Sequence, residues 1–164
     1  MLPRDAIIDL DCFFASVEQQ MKPELRGRPI GIVPVVTDST CCIAASEEAK
    51  KFGVKTGTGV REARQRCPDI ALVESHPDAY LEFHQRFLTA LEAWVPVCEV
   101  MSIDEVWCRL PEAVQTGEHG EAFVRKLKST LKAQLGEVVI YSVGVGPNRF
   151  LAKLASDMGK PDGF

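Results

Sequence analysis

The sequence predicts an α+β fold (an α/β sandwich): a split β-α-β-β-α-β unit with an antiparallel sheet, helices on one face and a small α/β insertion. Three observations predict it. Two β-prone apolar runs, residues 6–10 and 98–110, are marked by acidic pairs, Asp9 with Asp11 at the end of the first and Asp104 with Glu105 within the second. Two long stretches, residues 77–94 and 120–135, repeat apolar side chains at helical spacing. Between the first run and the first long helix, Gly and Pro cut residues 23–75 into short pieces.

In chain order, residues 6–10 form a buried strand. It runs straight into a helix marked by Phe13, Val17 and Met21, with Asp11 expected as its N-cap. Pro23, Gly27 and Pro29 end that pattern. Residues 30–33, 41–44 and 70–73 read as strands. Residues 46–52 read as a helix stopped by Gly53, and residues 60–66 as one stopped by Pro68. The helix over 77–94 places Tyr80, Phe83, Phe87, Leu88 and Leu91 on one face. A hairpin over 98–110 turns at the acidic pair. The helix over 120–135 presents Phe123, Leu127, Leu131 and Leu135. A strand over 138–145 follows, and Asn148 caps a last helix that Gly159 and Pro161 close.

The chain has 164 residues, enough to bury a substantial core. Hydrophobic residues are 46% and charged ones 26%, the balance of an ordinary globular protein. Lys and Arg total 19 against 23 Asp and Glu, a formal net charge of −4. That balance lacks the basic excess of a self-sufficient nucleic-acid clamp. No run of apolar residues reaches membrane-spanning length, and the N-terminus has no signal-peptide pattern. The six cysteines include no C-x-x-C and read as buried free thiols of a cytoplasmic protein. The histidines at 76, 84 and 119 lack zinc-ligand spacing.

In a split β-α-β-β-α-β sheet the first strand and the central hairpin are neighbours, which would gather Asp9, Asp104 and Glu105. Hard oxygen ligands so placed suit Mg²⁺ or Mn²⁺. A pair of such ions could clamp both the attacking and leaving oxygens of a phosphoryl transfer. The other reading of the same acids is that they terminate strands. Both stand at this point.

The stretch Asp9-Leu10-Asp11-Cys12-Phe13-Phe14-Ala15-Ser16-Val17-Glu18 and the tetrad Ser102-Ile103-Asp104-Glu105 resemble the two signature motifs of the Y-family (translesion, UmuC/DinB-like) DNA polymerases. Lys51-Phe52-Gly53-Val54, Ala152-Lys153 and Asp157-Met158-Gly159-Lys160-Pro161-Asp162-Gly163 are similar to that family in order and spacing. The resemblance covers essentially the whole chain. It implies a polymerase palm with a ferredoxin-like sheet at residues 1–22 and 76–164, and fingers at 23–75. The thumb and little finger that follow in the family are absent, so the chain reads as a fragment of a longer polymerase.

The resemblance also implies roles. Asp9, Asp104 and Glu105 match the catalytic metal ligands, with the Leu10 carbonyl as a further ligand, for two Mg²⁺ ions (Mn²⁺ as an alternative). Cys12, Phe13, Phe14, Lys50 and Lys160 match nucleotide-binding positions, Phe14 being the steric gate against a 2′-hydroxyl. Lys153 reads as a solvated helix lysine, Tyr80 as a core residue of the palm and Ser102 as support for the turn. Where the family commonly places Tyr and Arg to hold the triphosphate, this chain has Glu47 and Lys50, with Glu47 expected to pair with Lys50 or Lys51. The partners implied are damaged primer–template DNA, a dNTP and, through parts beyond this chain, a sliding clamp, with no membrane. Alternative functions are a catalytically weak or silent accessory relative in a mutasome and a palm-related nucleotide cyclase. The cyclase reading lacks the Gly-Gly-acidic turn expected of it.

Overall fold

The computed structural model describes residues 4–115 and 117–164, and it divides into two compact units, each with its own sheet. One comprises residues 1–11 and 81–164, the other residues 12–80. Among the described residues no helix is long and apolar enough to cross a membrane.

The first unit is built on β1 (Asp5–Leu10), β5 (Val97–Val100), β6 (Glu105–Arg109) and β7 (Tyr141–Gly146), in the spatial order β5-β6-β1-β7 and antiparallel throughout. With its helices this is the split arrangement that the element order predicts. The central strand β1 is buried from end to end, as its apolar run requires. Its register sets Asp9 opposite Glu105 on β6 and opposite Ser142 on β7. Ile7 lies between Trp107 and Gly144, two residues along.

Helix α5 (Gly117–Leu135) buries Val124, Leu127, Leu131 and Leu135. Phe123 is half-buried and meets the Trp94 ring edge-on, so the buried stripe starts one residue later than the near-heptad pattern implies. Helix α6 (Arg149–Gly159) opens on Asn148, whose Oδ1 accepts from the Leu151 amide at 3.0 Å. It lies close against β7. A Cβ built on Gly144 would sit 2.0 Å from the Ala152 carbonyl and 2.1 Å from the Ser156 nitrogen. The small residues Ala152 and Ser156 are fully buried at this contact. Glycine is what permits backbone to meet backbone here.

The second unit carries a three-stranded sheet of β3 (Ala44–Ala45), β2 (Ile30–Val33) and β4 (Ala71–Glu74), with β2 antiparallel to β3 and parallel to β4. Its core joins Val33, Cys42, Ala45 and Ala49 to Val54, Val60, Ala63 and Cys67. Helix α3 (Val60–Arg66) has the predicted bounds, set by Gly59 and Cys67-Pro68. Helix α2 (Glu47–Lys50) is shorter than predicted, though Ser46 caps it by accepting from the Ala49 amide. The strand expected over 41–44 shrinks to Ala44–Ala45, because Cys41 makes only an isolated bridge to Gly59.

Helix α1 (Phe13–Met21) belongs to this unit and is not capped by Asp11. Cys12 takes the cap position in the left-handed region, at φ 49°, and its side chain makes no capping hydrogen bond. The following helix α4 (Pro77–Glu92) begins in this unit and ends in the first. The cysteines are all free, yet only Cys42, Cys67 and Cys108 are buried; Cys41 and Cys98 are exposed and Cys12 lies between.

Candidate active site

Side chains that alternate along β1 and β6 put Asp9 and Glu105 on one face of the sheet, side by side across the pairing. Two carboxylates so placed would repel each other, and helix α6 supplies the counter-charge. Lys153 Nζ donates to Asp9 Oδ2 and Glu105 Oε2, both at 2.8 Å, and stands 3.0 Å from Asp157 Oδ1. Lys160 Nζ donates to the same Asp9 oxygen at 2.7 Å and lies 3.6 Å from Asp157 and 3.9 Å from Asp11. Lys153, Asp157 and Lys160 fall at i, i+4 and i+7, which is one stripe of the helix and its end. Burial alone would lower the Lys153 pKa. Its hydrogen bonds to Asp9, Glu105 and Asp157 outweigh that and hold it above the ordinary ammonium range.

Asp11 lies just past the strand end. Its Oδ2 accepts from the Ser142 hydroxyl at 2.7 Å and from the Asp162 amide at 2.9 Å. Burial pushes its carboxyl above the usual range, against those hydrogen bonds and the charge of Lys160. Ser142 Oγ also accepts from the Gly163 amide, so the segment after α6 folds back on β7 and carries Lys160 to the acids.

Asp104 stands in the turn before β6. Its carbonyl accepts from the Leu10 amide at 2.8 Å, and its carboxylate accepts from the Ser102 hydroxyl at 2.6 Å. Ser102 therefore supports the turn, as expected. Among the described residues, no group of three or more His, Cys, Asp or Glu side chains is arranged to hold a metal ion as it stands. The physical reason is local: the Lys153 ammonium sits between Asp9 and Glu105, while Asp104 is engaged by Ser102. The donor set nonetheless fits a hard divalent cation. Asp9, Asp104 and Glu105 offer only carboxylate oxygens, and Glu105 Oε1 is buried with no hydrogen-bond partner among the described residues.

The remaining expected site residues belong to the second unit. Phe13 is buried, whereas Phe14 is half-buried and stacks on Tyr80, with ring centroids 4.3 Å apart and planes at 14°. Tyr80 is held in turn by its hydroxyl, which donates to the fully buried Glu18 at 2.8 Å. Glu18 also accepts from Lys22 and contacts His76 Nδ1 at 2.6 Å. Burial pushes the Glu18 carboxyl up, but these hydrogen bonds outweigh it and leave the group below its ordinary range.

Glu47 turns toward Lys50 and Cys12. Its Oε1 accepts from Lys50 Nζ at 2.8 Å and from the Cys12 thiol at 2.7 Å. Burial and the Glu47 acceptor push the Cys12 thiol up to about 12, so it stays protonated near neutral pH.

Lys153, Asp157, Asp11 and Ser142 are the residues that sequence reasoning underweighted. The i, i+4 spacing of Lys153 and Asp157 was a visible signal of a shared helix face. The pairing of Ser142 with Asp11 spans 131 positions and left no local trace.

A model of the impB/mucB/samB family matches residues 8–157. DNA polymerase IV of Moorella thermoacetica is 39% identical over 160 residues, which make up 96% of this chain and 40% of that protein. DNA polymerase IV of Pelotomaculum thermopropionicum is 38% identical over 160 residues, 96% of this chain and 39% of that protein. Among solved structures, DinB from Sulfolobus solfataricus matches with a TM-score of 0.88 at 32% identity, covering 98% of this chain and 47% of that one. The insertion ternary complex of Dbh DNA polymerase matches with a TM-score of 0.88 at 31% identity, over the same shares. The chain thus spans less than half the length of these relatives.

Proposed function

The chain belongs to the impB/mucB/samB family of Y-family polymerase domains, and from that premise we propose that it is the palm and fingers portion of a DNA-directed DNA polymerase for translesion synthesis. The reaction is attack of a primer 3′-hydroxyl on the α-phosphate of a dNTP, with pyrophosphate leaving. The observation that carries this reading is the cross-strand pairing of Asp9 with Glu105, next to Asp104, on a sheet of palm topology. Asp9, Asp104, Glu105 and the Leu10 carbonyl would hold Mg²⁺ or Mn²⁺. Bound there, two such ions would supply Lewis-acid activation of the hydroxyl and neutralise charge on the phosphates.

The chain's own residues do the rest. Asp9 and Glu105 are fixed by the sheet, so the geometry is set before substrate arrives. Lys160, half-exposed beside Asp9, offers an ammonium to the triphosphate. Phe14 serves as the steric gate, its ring braced by the Tyr80 stack and the Glu18 hydrogen bond behind it. Damaged primer–template DNA and dNTP are the partners of this reading, with a sliding clamp reached through other parts of a longer protein.

The test is primer extension by the full-length protein with Mg²⁺, since the palm and fingers alone are expected to be folded but nearly inactive for want of a DNA grip. Slow, low-processivity DNA synthesis that a chelator stops is expected; absence of synthesis under every metal condition would overturn the reading. It would leave the accessory relative, for which the Glu47–Lys50 pair is the supporting observation.

That pair yields its own expectation. Glu47 neutralises Lys50, the charge that stands where the family places its triphosphate arginine. Glu47→Gln keeps an acceptor for the Cys12 thiol and frees the ammonium. The KM for dNTP should fall about fivefold, about 1 kcal/mol for a half-exposed pair, with kcat unchanged. Steady-state kinetics checks this, and an unaltered KM would mean that Lys50 does not meet the triphosphate.

A further inference from the structure

We propose that His84 is a positioning residue for the acidic turn: its imidazole fixes the peptide plane from which Asp104 projects, and so sets the metal-binding geometry. The inference rests on the proposed metal-binding role of Asp104, and on the polymerase reading for its kinetic arm. His84 lies on α4 and is buried, 9% exposed. Its Nδ1 lies 2.7 Å from the Ile103 carbonyl oxygen. A carbonyl can only accept, so Nδ1 carries the hydrogen.

The Ile103 carbonyl and the Asp104 nitrogen and Cα belong to one rigid, planar peptide unit. Pinning that oxygen pins the plane on the N-terminal side of Asp104. The plane on its C-terminal side contains the Asp104 carbonyl, and the Leu10 amide holds it from β1 at 2.8 Å. With both planes fixed, the two backbone dihedrals of Asp104 are fixed as well. The Ser102 hydroxyl then orients the carboxylate. The turn residues 101–104 are outside any strand, and the other tethers run from the Met101 and Ser102 amides to the Glu105 carbonyl. Those hold the loop's entry and exit. Only His84 holds the Ile103–Asp104 plane among the hydrogen bonds described for the turn.

Groups of this kind, which orient a metal-binding group without touching the ion, change affinity or rate by about 10–100-fold when removed. His84→Leu keeps the volume and loses the donor. His84→Asn places a side-chain N–H near the Nδ1 position and retains it.

The experiment measures Mn²⁺ binding to the protein by electron paramagnetic resonance, and primer extension in parallel, with thermal melting to confirm folding. His84→Leu should weaken Mn²⁺ about tenfold and lower kcat about tenfold or more, with the KM for dNTP within about twofold of wild type. His84→Asn should return both to within about threefold of wild type. Equal losses in the two variants would assign His84 to packing alone and overturn the proposal, as would wild-type Mn²⁺ binding by folded His84→Leu. Should wild type bind Mn²⁺ but fail to extend a primer, the polymerase reading fails while the Mn²⁺ arm still decides the role of His84.

Discussion

Replacing Asp9 with asparagine is expected to lower primer extension by at least about 10³-fold while leaving the protein folded. The side chain keeps its shape, and β1 keeps its ladder to β6 and β7, so the sheet is not the casualty. What disappears is one carboxylate charge at the position that faces Glu105. A divalent ion contributes several kcal/mol to phosphoryl transfer through charge stabilisation, and about 4 kcal/mol corresponds to about 10³ in rate. Lys153 and Lys160 both donate to Asp9 Oδ2, so the variant also leaves two ammoniums with weaker partners. They keep Glu105 and Asp157, which limits the loss of stability. Rates measured alongside circular dichroism separate the two effects. Activity within tenfold of wild type would remove Asp9 from the catalytic set.

The second large effect is on stability. Gly144→Ala should cost at least about 3 kcal/mol, the upper part of the usual range for overpacking, and lower the melting temperature by roughly 10 °C. The new methyl group would meet the Ala152 carbonyl at 2.0 Å and the Ser156 nitrogen at 2.1 Å, and both are backbone atoms that no rotamer change can move. Relief requires α6 to lift from the sheet, which carries Lys153 away from Asp9 and Glu105. Gly59→Ala is the control, since its Cβ would meet nothing within 4 Å and its φ of −62° suits any residue. Calorimetry of the two variants decides the matter. A Gly144→Ala protein melting with wild type would mean that the helix does not approach as closely as described.

The sequence made some of this legible and hid the rest for physical reasons. Strand β1, the acidic turn and α3 were readable because their signals are local: an unbroken apolar run, a polar break and flanking Gly and Pro. Asn148 was readable as a cap for the same reason. Asp11 misled because an acidic residue before a helix usually caps it. Here Ser142 and Asp162 compete for its oxygens from more than 130 positions away. Lys153 looked like a solvated lysine because nothing in a helical pattern tells which polar face will meet a sheet. The face was decided by Gly144, whose missing side chain lets α6 settle there.

The lysines beside Asp9 and Glu105 have a thermodynamic consequence. An acidic cluster that brings its own ammonium counter-ions is already partly neutral, so a divalent ion would enter it by exchange. Its apparent affinity would be the difference between two competing attractions, set by the lysines as much as by the carboxylates.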